Sequence, residues 1–308
     1  MAKRVILTGA TGFIGRQTIP FLLRRGFEVH ALIVKNKAKV LGAEVCCHQA
    51  DIFDYKSVDR ICSELKAEYL LHLAWQGGAN ERMTSPANLS WVEASLNLVQ
   101  AFSKNGGSRI VLAGSCAEYN WQYGYCSETL TPTEPDSLYG ECKSSLHKLT
   151  YKFCQNQGIH YSNGRIFFVY GPSEAENRLV PYITKSLLMD QKAEIKHSNR
   201  IRDYLNVTDV ADALVTLLHS SVEGPVNIGS GQPTSLGELA NLIGKKMHKP
   251  ELIALNTAEE SDNKAPIVLA DITRLQNELG WKPKYDLENG IEATIQWWKK
   301  QNQIMINK

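Results

Sequence analysis

The stretch Val5-Ile6-Leu7-Thr8-Gly9-Ala10-Thr11-Gly12-Phe13-Ile14-Gly15 constrains the fold of this chain more than any other. Its uninterrupted apolar run predicts a parallel strand buried on both faces. Three glycines follow at intervals of three. Residues 16–25 then carry Ile19, Leu22 and Leu23 at helical spacing, up to Gly26. A strand, a glycine turn and a helix together leave unpaired N–H groups at the helix N-terminus, where a pyrophosphate is held. Glycine is needed because a side chain would keep a phosphate off the backbone. The spacing is G-x-x-G-x-x-G, not the more familiar G-x-G-x-x-G.

The same alternation continues downstream. Strands are predicted over 28–34, 44–48, 69–74 and 109–113, with helices over 55–65 and 86–104 and a further helix opening at Leu138. Strands separated by helices form right-handed βαβ units and a parallel sheet. The predicted fold class is therefore α/β, a doubly wound parallel sheet. His72, inside an apolar strand, reads as a buried structural residue.

The end of the second strand is where such a fold meets the adenosine ribose. Residues 30–39 contain no acidic residue to accept a hydrogen bond from a free 2′-hydroxyl, but they do contain Lys35, Lys37 and Lys39. A 2′-phosphate would be repelled by an acid and attracted by cations, so NADP(H) is favoured, with NAD(H) as the alternative.

Composition narrows the partners. Lys plus Arg number 34 against 32 Asp plus Glu, which argues against nucleic acid or an anionic membrane as target. No apolar run approaches the ~20 residues of a membrane span. The apolar strand begins almost at Met1, with no signal-peptide pattern ahead of it. Seven cysteines form no C-x-x-C pair. An odd count suits a reducing compartment, so a cytoplasmic location is expected, and no metal site is predicted.

A second constellation lies further on. The strand over 109–113 delivers Gly114-Ser115-Cys116-Ala117-Glu118-Tyr119, and Tyr139 and Lys143 share one helix face, four residues apart. A phenol with a pKa near ~10 is a poor acid–base group at neutral pH without a cation to stabilise its phenolate. Lys143 is placed to supply that cation, and Ser115, at a strand end, to hold a substrate oxygen.

Taken together these residues resemble the extended short-chain dehydrogenase/reductase family, in its sugar-nucleotide epimerase, dehydratase and reductase branch. The resemblance covers nearly the whole chain. It rests on Thr8-Gly9-Ala10-Thr11-Gly12-Phe13-Ile14-Gly15, Asp51-Ile52, His72-Leu73-Ala74, and Ser115 with Tyr139-x-x-x-Lys143. It continues through Arg165-Ile166-Phe167-Phe168-Val169-Tyr170-Gly171-Pro172, Arg202-Asp203-Tyr204-Leu205-Asn206-Val207-Thr208-Asp209-Val210-Ala211, Asn227-Ile228-Gly229-Ser230-Gly231 and Leu279-Gly280-Trp281-Lys282-Pro283. It implies a Rossmann domain over 1–172. Residues 173–308 would form mainly a smaller substrate-binding lobe over the C-terminal edge of the sheet, with segments near 201–229 returning to the main sheet.

For the cofactor, the resemblance implies Gly9, Thr11, Gly12, Phe13, Ile14 and Gly15 around the pyrophosphate. Lys35, Asp51 and Ile52 would border the adenosine half, and Ala74, Tyr139 and Lys143 the nicotinamide half. Tyr139 would exchange a proton with the sugar oxygen that Ser115 binds, while hydride passes to or from the adjoining carbon. The substrate would be a nucleotide sugar touched by Ser115, Cys116, Phe168, Arg178 and Arg202. Dimerisation is expected through helical segments 90–104 and 144–157.

Departures from the family pattern narrow the reaction. Dehydratases place an aspartate and a glutamate after the catalytic hydroxyl residue, where this chain has Cys116 and Ala117. Epimerases acting beside a ketone place a cysteine and a histidine where it has Ala117 and Arg178. Position 168 is phenylalanine where many relatives carry asparagine, and residues 261–265 offer Lys264 where a second diphosphate-binding arginine is expected. The nearest resemblance is to reductases of 4-keto-6-deoxy sugars of the CDP-abequose and CDP-paratose type. An NAD-dependent 4-epimerase is the alternative, and a non-catalytic NADP(H)-binding sensor a further one.

Overall fold

A computed structural model describes residues 3–34, 41–76, 82–256 and 265–306, with side chains through 302. In chain order its strands and helices begin with β1 (Lys3–Thr8), α1 (Gly15–Arg24), β2 (Phe27–Ile33), β3 (Cys46–Gln49), α2 (Tyr55–Leu65), β4 (Tyr69–His72), α3 (Ala87–Lys104) and β5 (Arg109–Ser115). Next come β6 (Tyr125–Cys126), α4 (Leu138–Gln157), β7 (His160–Ile166), β8 (Phe168–Tyr170), α5 (Leu179–Leu188), β9 (Ala193–Ile195), β10 (Ile201–Asn206) and α6 (Val207–Leu218). The chain ends with β11 (Gly224–Ile228), β12 (Pro233–Ser235), α7 (Leu236–Lys246), β13 (Ile253–Leu255), β14 (Ile267–Ala270), α8 (Thr273–Asn277) and α9 (Leu287–Ile306).

Seven parallel strands form the main sheet in the order β11-β7-β5-β4-β1-β2-β3. Alternate side chains along each strand point to opposite faces, and the apolar runs fill both. Val5, Leu7, Val29 and Val111 pack under α1 and α6, whereas Ile6, Leu70, Ile110 and Leu112 pack under α2, α3 and α4. Local signals start and stop the helices. Asp54 caps α2 by accepting the Ser57 N–H, Ser137 caps α4 by accepting that of Gly140, and Gly158 ends α4 at φ +67°. Each such polar cap contributes about 1 kcal/mol.

The smaller lobe has its own core, in which α5, α7 and α9 pack around Ile183, Leu239, Ile243, Ile291 and Ile295. Within 201–229 the path divides. Helix α6 packs on the main layer and β11 pairs with β7 at its edge, whereas β10 belongs to the second sheet, between β12 and β14 and alongside β8. The polar segment over 120–137 contains β6, which pairs with β14 across more than 140 positions of sequence. A two-residue strand leaves no periodic pattern, so only the partner reveals it. Among the described residues no helix is long and apolar enough to cross a membrane.

Candidate active site

Because the main sheet is parallel, the C-terminal ends of β1, β4 and β5 all lie on one edge. Thr8 stands beside His72, and His72 beside Leu112. The glycine turn, the segment after β4 and Ser115 therefore converge without being near in sequence.

The turn fits a dinucleotide. Gly9 adopts φ +70°, and a Cβ there would fall 2.8 Å from the Ala74 nitrogen. A Cβ on Gly15 would fall 2.0 Å from the Gly9 carbonyl oxygen. The chain thus passes close against the β4 end and turns at once into α1, whose start carries no side-chain cap. The Gly12, Arg16 and Gln17 N–H groups donate to the Gly9, Gly12 and Ile14 carbonyls, and the positive end of the helix dipole there favours an anion. Thr11, Phe13 and Ile14 line the same turn half-buried, and the Arg16 guanidinium donates to the Thr11 carbonyl. Asp51 is exposed and accepts the Phe53 N–H, with Ile52 buried beside it. Lys35, Lys37, Lys39 and Lys264 lie outside the described residues.

A hydrogen-bonded chain fixes Ala74. Its N–H donates to Thr8 Oγ1 (3.2 Å), which contacts His72 Nδ1 (2.6 Å), while His72 Nε2 contacts Ser95 Oγ (2.9 Å) and that hydroxyl donates to the Trp91 carbonyl. The consistent assignment has the Thr8 hydroxyl donating to Nδ1 and Nε2–H donating to Ser95. Burial, with the charge of Lys143, pulls the His72 pKa down to about 3. It is the neutral structural histidine expected from its apolar strand.

Tyr139, Ser115 and Lys143 are brought together at this edge. Tyr139 is buried, with its N–H donating to the Met83 carbonyl. Burial raises its pKa, while Arg82, 4.6 Å from the ring centroid, and the Ser115 hydroxyl act to lower it. Lys143 Nζ donates to the Ala113 carbonyl (2.9 Å) and lies 3.7 Å from the centroid of Trp75. Its burial brings the pKa down to about 7, against the opposing charge of Glu118 and with help from Arg82. The cation bearing on the phenol is thus Arg82, where spacing alone pointed to Lys143. An i, i+4 relation places two side chains on one face but does not choose their partners.

Glu118 and Arg82 are the residues sequence reasoning passed over. Glu118 is fully buried and accepts from the Ser115 N–H, both ways from Asn163 Nδ2, and from Arg165 Nε at 2.9 Å. The spacing Ser115-x-x-Glu118 is a capping-box pattern, and the box is formed here around the turn Cys116–Glu118. That pattern was the available signal. Arg82, in an irregular segment, left none.

The remaining expected contacts divide. Cys116 is buried, which raises its pKa and keeps it a thiol. Phe168 packs against Trp121 and Tyr204. Arg202 lies 5.5 Å from the Phe168 centroid and donates to the carbonyls of Ile201, Ala265 and Pro266. The acids beside it are engaged elsewhere, Asp203 with the N–H groups of Ser230, Gly231 and Ala270, and Asp209 with those of Lys284 and Tyr285. Arg178 Nε stands 3.7 Å from Glu174, a buried carboxyl whose pKa burial raises to about 8 and whose Oε2 has no hydrogen-bond partner. Far from this edge, near the starts of β2 and β3, the ligand atoms of Glu28, His30 and Cys46 lie within 4.8 Å of one another. Glu28 there pairs with Arg4 and His30, and His30 also with His48, so the group is a hydrogen-bonded sheet margin.

Comparison with known proteins places the chain in a family. A UDP-glucuronate 4-epimerase of Thermodesulfobacterium geofontis is 25% identical over 324 residues, covering 97% of each chain. A CDP-abequose synthase of Salmonella typhimurium is 24% identical over 312 residues, covering 96% of this chain and 98% of that one. Among solved structures, a UDP-glucose 4-epimerase of Thermotoga maritima with UDP-glucose superimposes with TM-score 0.88 at 24% identity, covering 97% and 99%. The model of the NAD dependent epimerase/dehydratase family matches residues 5–229, which span the glycine turn, Ser115, Tyr139 and Lys143, and the chain belongs to that family.

Proposed function

We propose that the protein is an NADP(H)-dependent reductase that converts the 4-keto group of a nucleotide-linked 6-deoxyhexose to a hydroxyl. The observation that carries this reading is that burial holds the Tyr139 phenol in its protonated form next to Ser115. A ketone accepting hydride needs a proton at its oxygen, and a phenol above its ordinary pKa arrives with one. The bound nicotinamide would supply the hydride to the carbon.

The protein's own groups do the rest. The backbone of the glycine turn would seat the pyrophosphate. Ser115 would hold the carbonyl oxygen, and Tyr139 would pass its proton to that oxygen as negative charge develops there. Neither Cys116, a thiol at neutral pH, nor Ala117 offers a second acid–base group. That supports plain reduction over elimination of water or epimerisation beside the ketone. Phe168, Arg178 and Arg202 would face the nucleotide sugar. A homodimer through α3 and α4 is also proposed, since Leu89 and Leu149 on these helices are more than half exposed.

The second reading, an NAD-dependent 4-epimerase, is favoured by the names of relatives such as the two epimerases above. One set of measurements separates the two. Protein is denatured and any released nucleotide identified, then a panel of 4-keto-6-deoxy sugar nucleotides is assayed with NADPH and NADH. Turnover with NADPH and an empty site as isolated support the reductase. Stoichiometric retained NAD, without net oxidation of NADPH, establishes the epimerase instead. In the same assay Lys35→Ala with Lys37→Ala should raise KM for NADPH well above any change for NADH, and equal effects would remove the preference for NADP.

A further inference from the structure

We infer that Glu118 is the counter-ion of Lys143 and the anchor of Ser115, a positioning residue that acts on the reaction through those two groups. The inference rests on the proposal above that Ser115 holds the reacting oxygen, and adds a member with no expected role.

The geometry is specific. Strand β7 lies beside β5 with Asn163 opposite Leu112 and Arg165 opposite Gly114. Both β7 side chains converge on the Glu118 carboxylate, which reaches them across Gly114. A Cβ on Gly114 would fall 2.4 Å from Glu118 Oε1 and 2.5 Å from Asn163 Oδ1, so the residue before Ser115 must be glycine for the carboxylate to enter. The carboxylate takes the Ser115 N–H at 2.9 Å, and Ser115 Oγ accepts the Ala117 N–H at 3.1 Å, fixing the serine in the turn. Lys143 donates to Ala113, the residue preceding Gly114. Buried carboxylate and buried ammonium thus meet the same short length of β5.

The surrounding charges define what Glu118 does. Lys143 is faced by Glu118 from the turn after β5, by Arg82 from the segment before α3, by His72 from the end of β4, and by the Trp75 ring just beyond it. Of these, Glu118 favours the ammonium, Arg82 opposes it, and His72 is neutral at pH 7. Around Glu118 itself stand Arg165, His147, Tyr119 and Tyr161. Burial works against its ionised form, but Arg165, His147 and the Ser115 N–H outweigh it, and the pKa is lowered. A carboxylate so held keeps its charge where Lys143 needs it. A buried ion pair of this kind is weak evidence for stability, and its placement directly behind Ser115 argues for positioning.

The test reads Lys143 without any substrate. Full-length protein is prepared with 13Cε-labelled lysine, the Lys143 signal is assigned by its loss in Lys143→Met, and its pH titration is followed in wild type and Glu118→Gln. Glu118→Gln leaves Arg165 buried opposite a neutral group, so Glu118→Gln with Arg165→Gln, which removes both charges, is measured in parallel. The Lys143 midpoint should fall in both variants, whereas Arg165→Gln alone, which takes away the group that keeps Glu118 ionised, should lower it no further than Glu118→Gln does. An unchanged or raised midpoint in the folded variants overturns the inference. In turnover, kcat should drop about tenfold near pH 8 with KM little changed, and the alkaline limb should move to lower pH. If the midpoint falls but no keto sugar nucleotide is turned over, the proposed reaction is wrong and the role of Glu118 stands. If turnover is normal and the midpoint is unmoved, Glu118 has no such role.

Discussion

The ammonium of Lys143 stands 3.7 Å from the ring centroid of Trp75, and with the Ala113 carbonyl this ring holds a cation that burial strongly disfavours. The Trp75 ring is itself placed by its Nε1–H donating to Asn88 Oδ1 at 3.0 Å and by stacking on Trp91. Trp75 comes directly after Ala74, so the β4 end contributes both a backbone wall for the glycine turn and an aromatic face for Lys143.

Burying that lysine has a signature in stability. Its folded pKa of about 7 lies below the ordinary lysine value of 10.5, so the unfolded chain binds more protons between these limits. Stability then rises with pH through that window as far as Lys143 is concerned. Lys143→Met should remove this slope, so that its stability relative to wild type falls as pH rises from 7 to 10. Denaturant unfolding of both proteins at several pH values checks this, and a constant difference would refute it.

Tyr139→Phe removes the proton donor while keeping the ring under Arg82. Turnover should fall by roughly 10²–10⁴-fold, with NADPH affinity changed little. Arg82→Met takes a cation away from both Tyr139 and Lys143, and Arg82 lowers both pKa values. The alkaline limb of kcat/KM should therefore move to higher pH. Rate profiles measured on the folded variants decide each case.

Glu174 gives the opposite pH signature. Its pKa rises to about 8 from 4.5 because burial disfavours the carboxylate. The folded state holds the proton across that range, so stability contributed by this group is lost as pH climbs from 4.5 through 8. Glu174→Gln should flatten this slope and make the variant relatively more stable at pH 8 than at pH 5. Paired thermal melts at those two values would show it.

Gly15→Ala tests the cradle itself. The added methyl meets the Gly9 carbonyl at 2.0 Å, which neither backbone segment can relieve by turning a side chain. A cost of about 1–3 kcal/mol is expected from the forced backbone shift, together with loss of dinucleotide binding. Fluorescence titration with NADPH and NADH follows the second effect, and intact binding would place the cofactor elsewhere.

The βαβ half of the molecule was legible residue by residue because its signals are local. The helix expected over 55–65 is α2, and the strand expected over 109–113 is β5 beside β4. Ser115, Tyr139 and Lys143 were visible as chemistry before they were neighbours. Strand β6 and the allocation of β10 to the second sheet were not, since two- and six-residue strands are assigned by partners far along the chain.

Sequence alone determined the parallel sheet, the glycine turn and the family, because apolar runs, glycines and helix spacing act within a few residues of themselves. Tertiary structure decided which charge faces which. Arg82 rather than Lys143 covers the Tyr139 ring, Lys143 lies against Trp75, and Glu118 reaches Asn163 and Arg165 on a strand some 45 residues away. Burial and Coulomb interaction depend on distance in space, and that distance is set only when β5, β7 and α4 pack together.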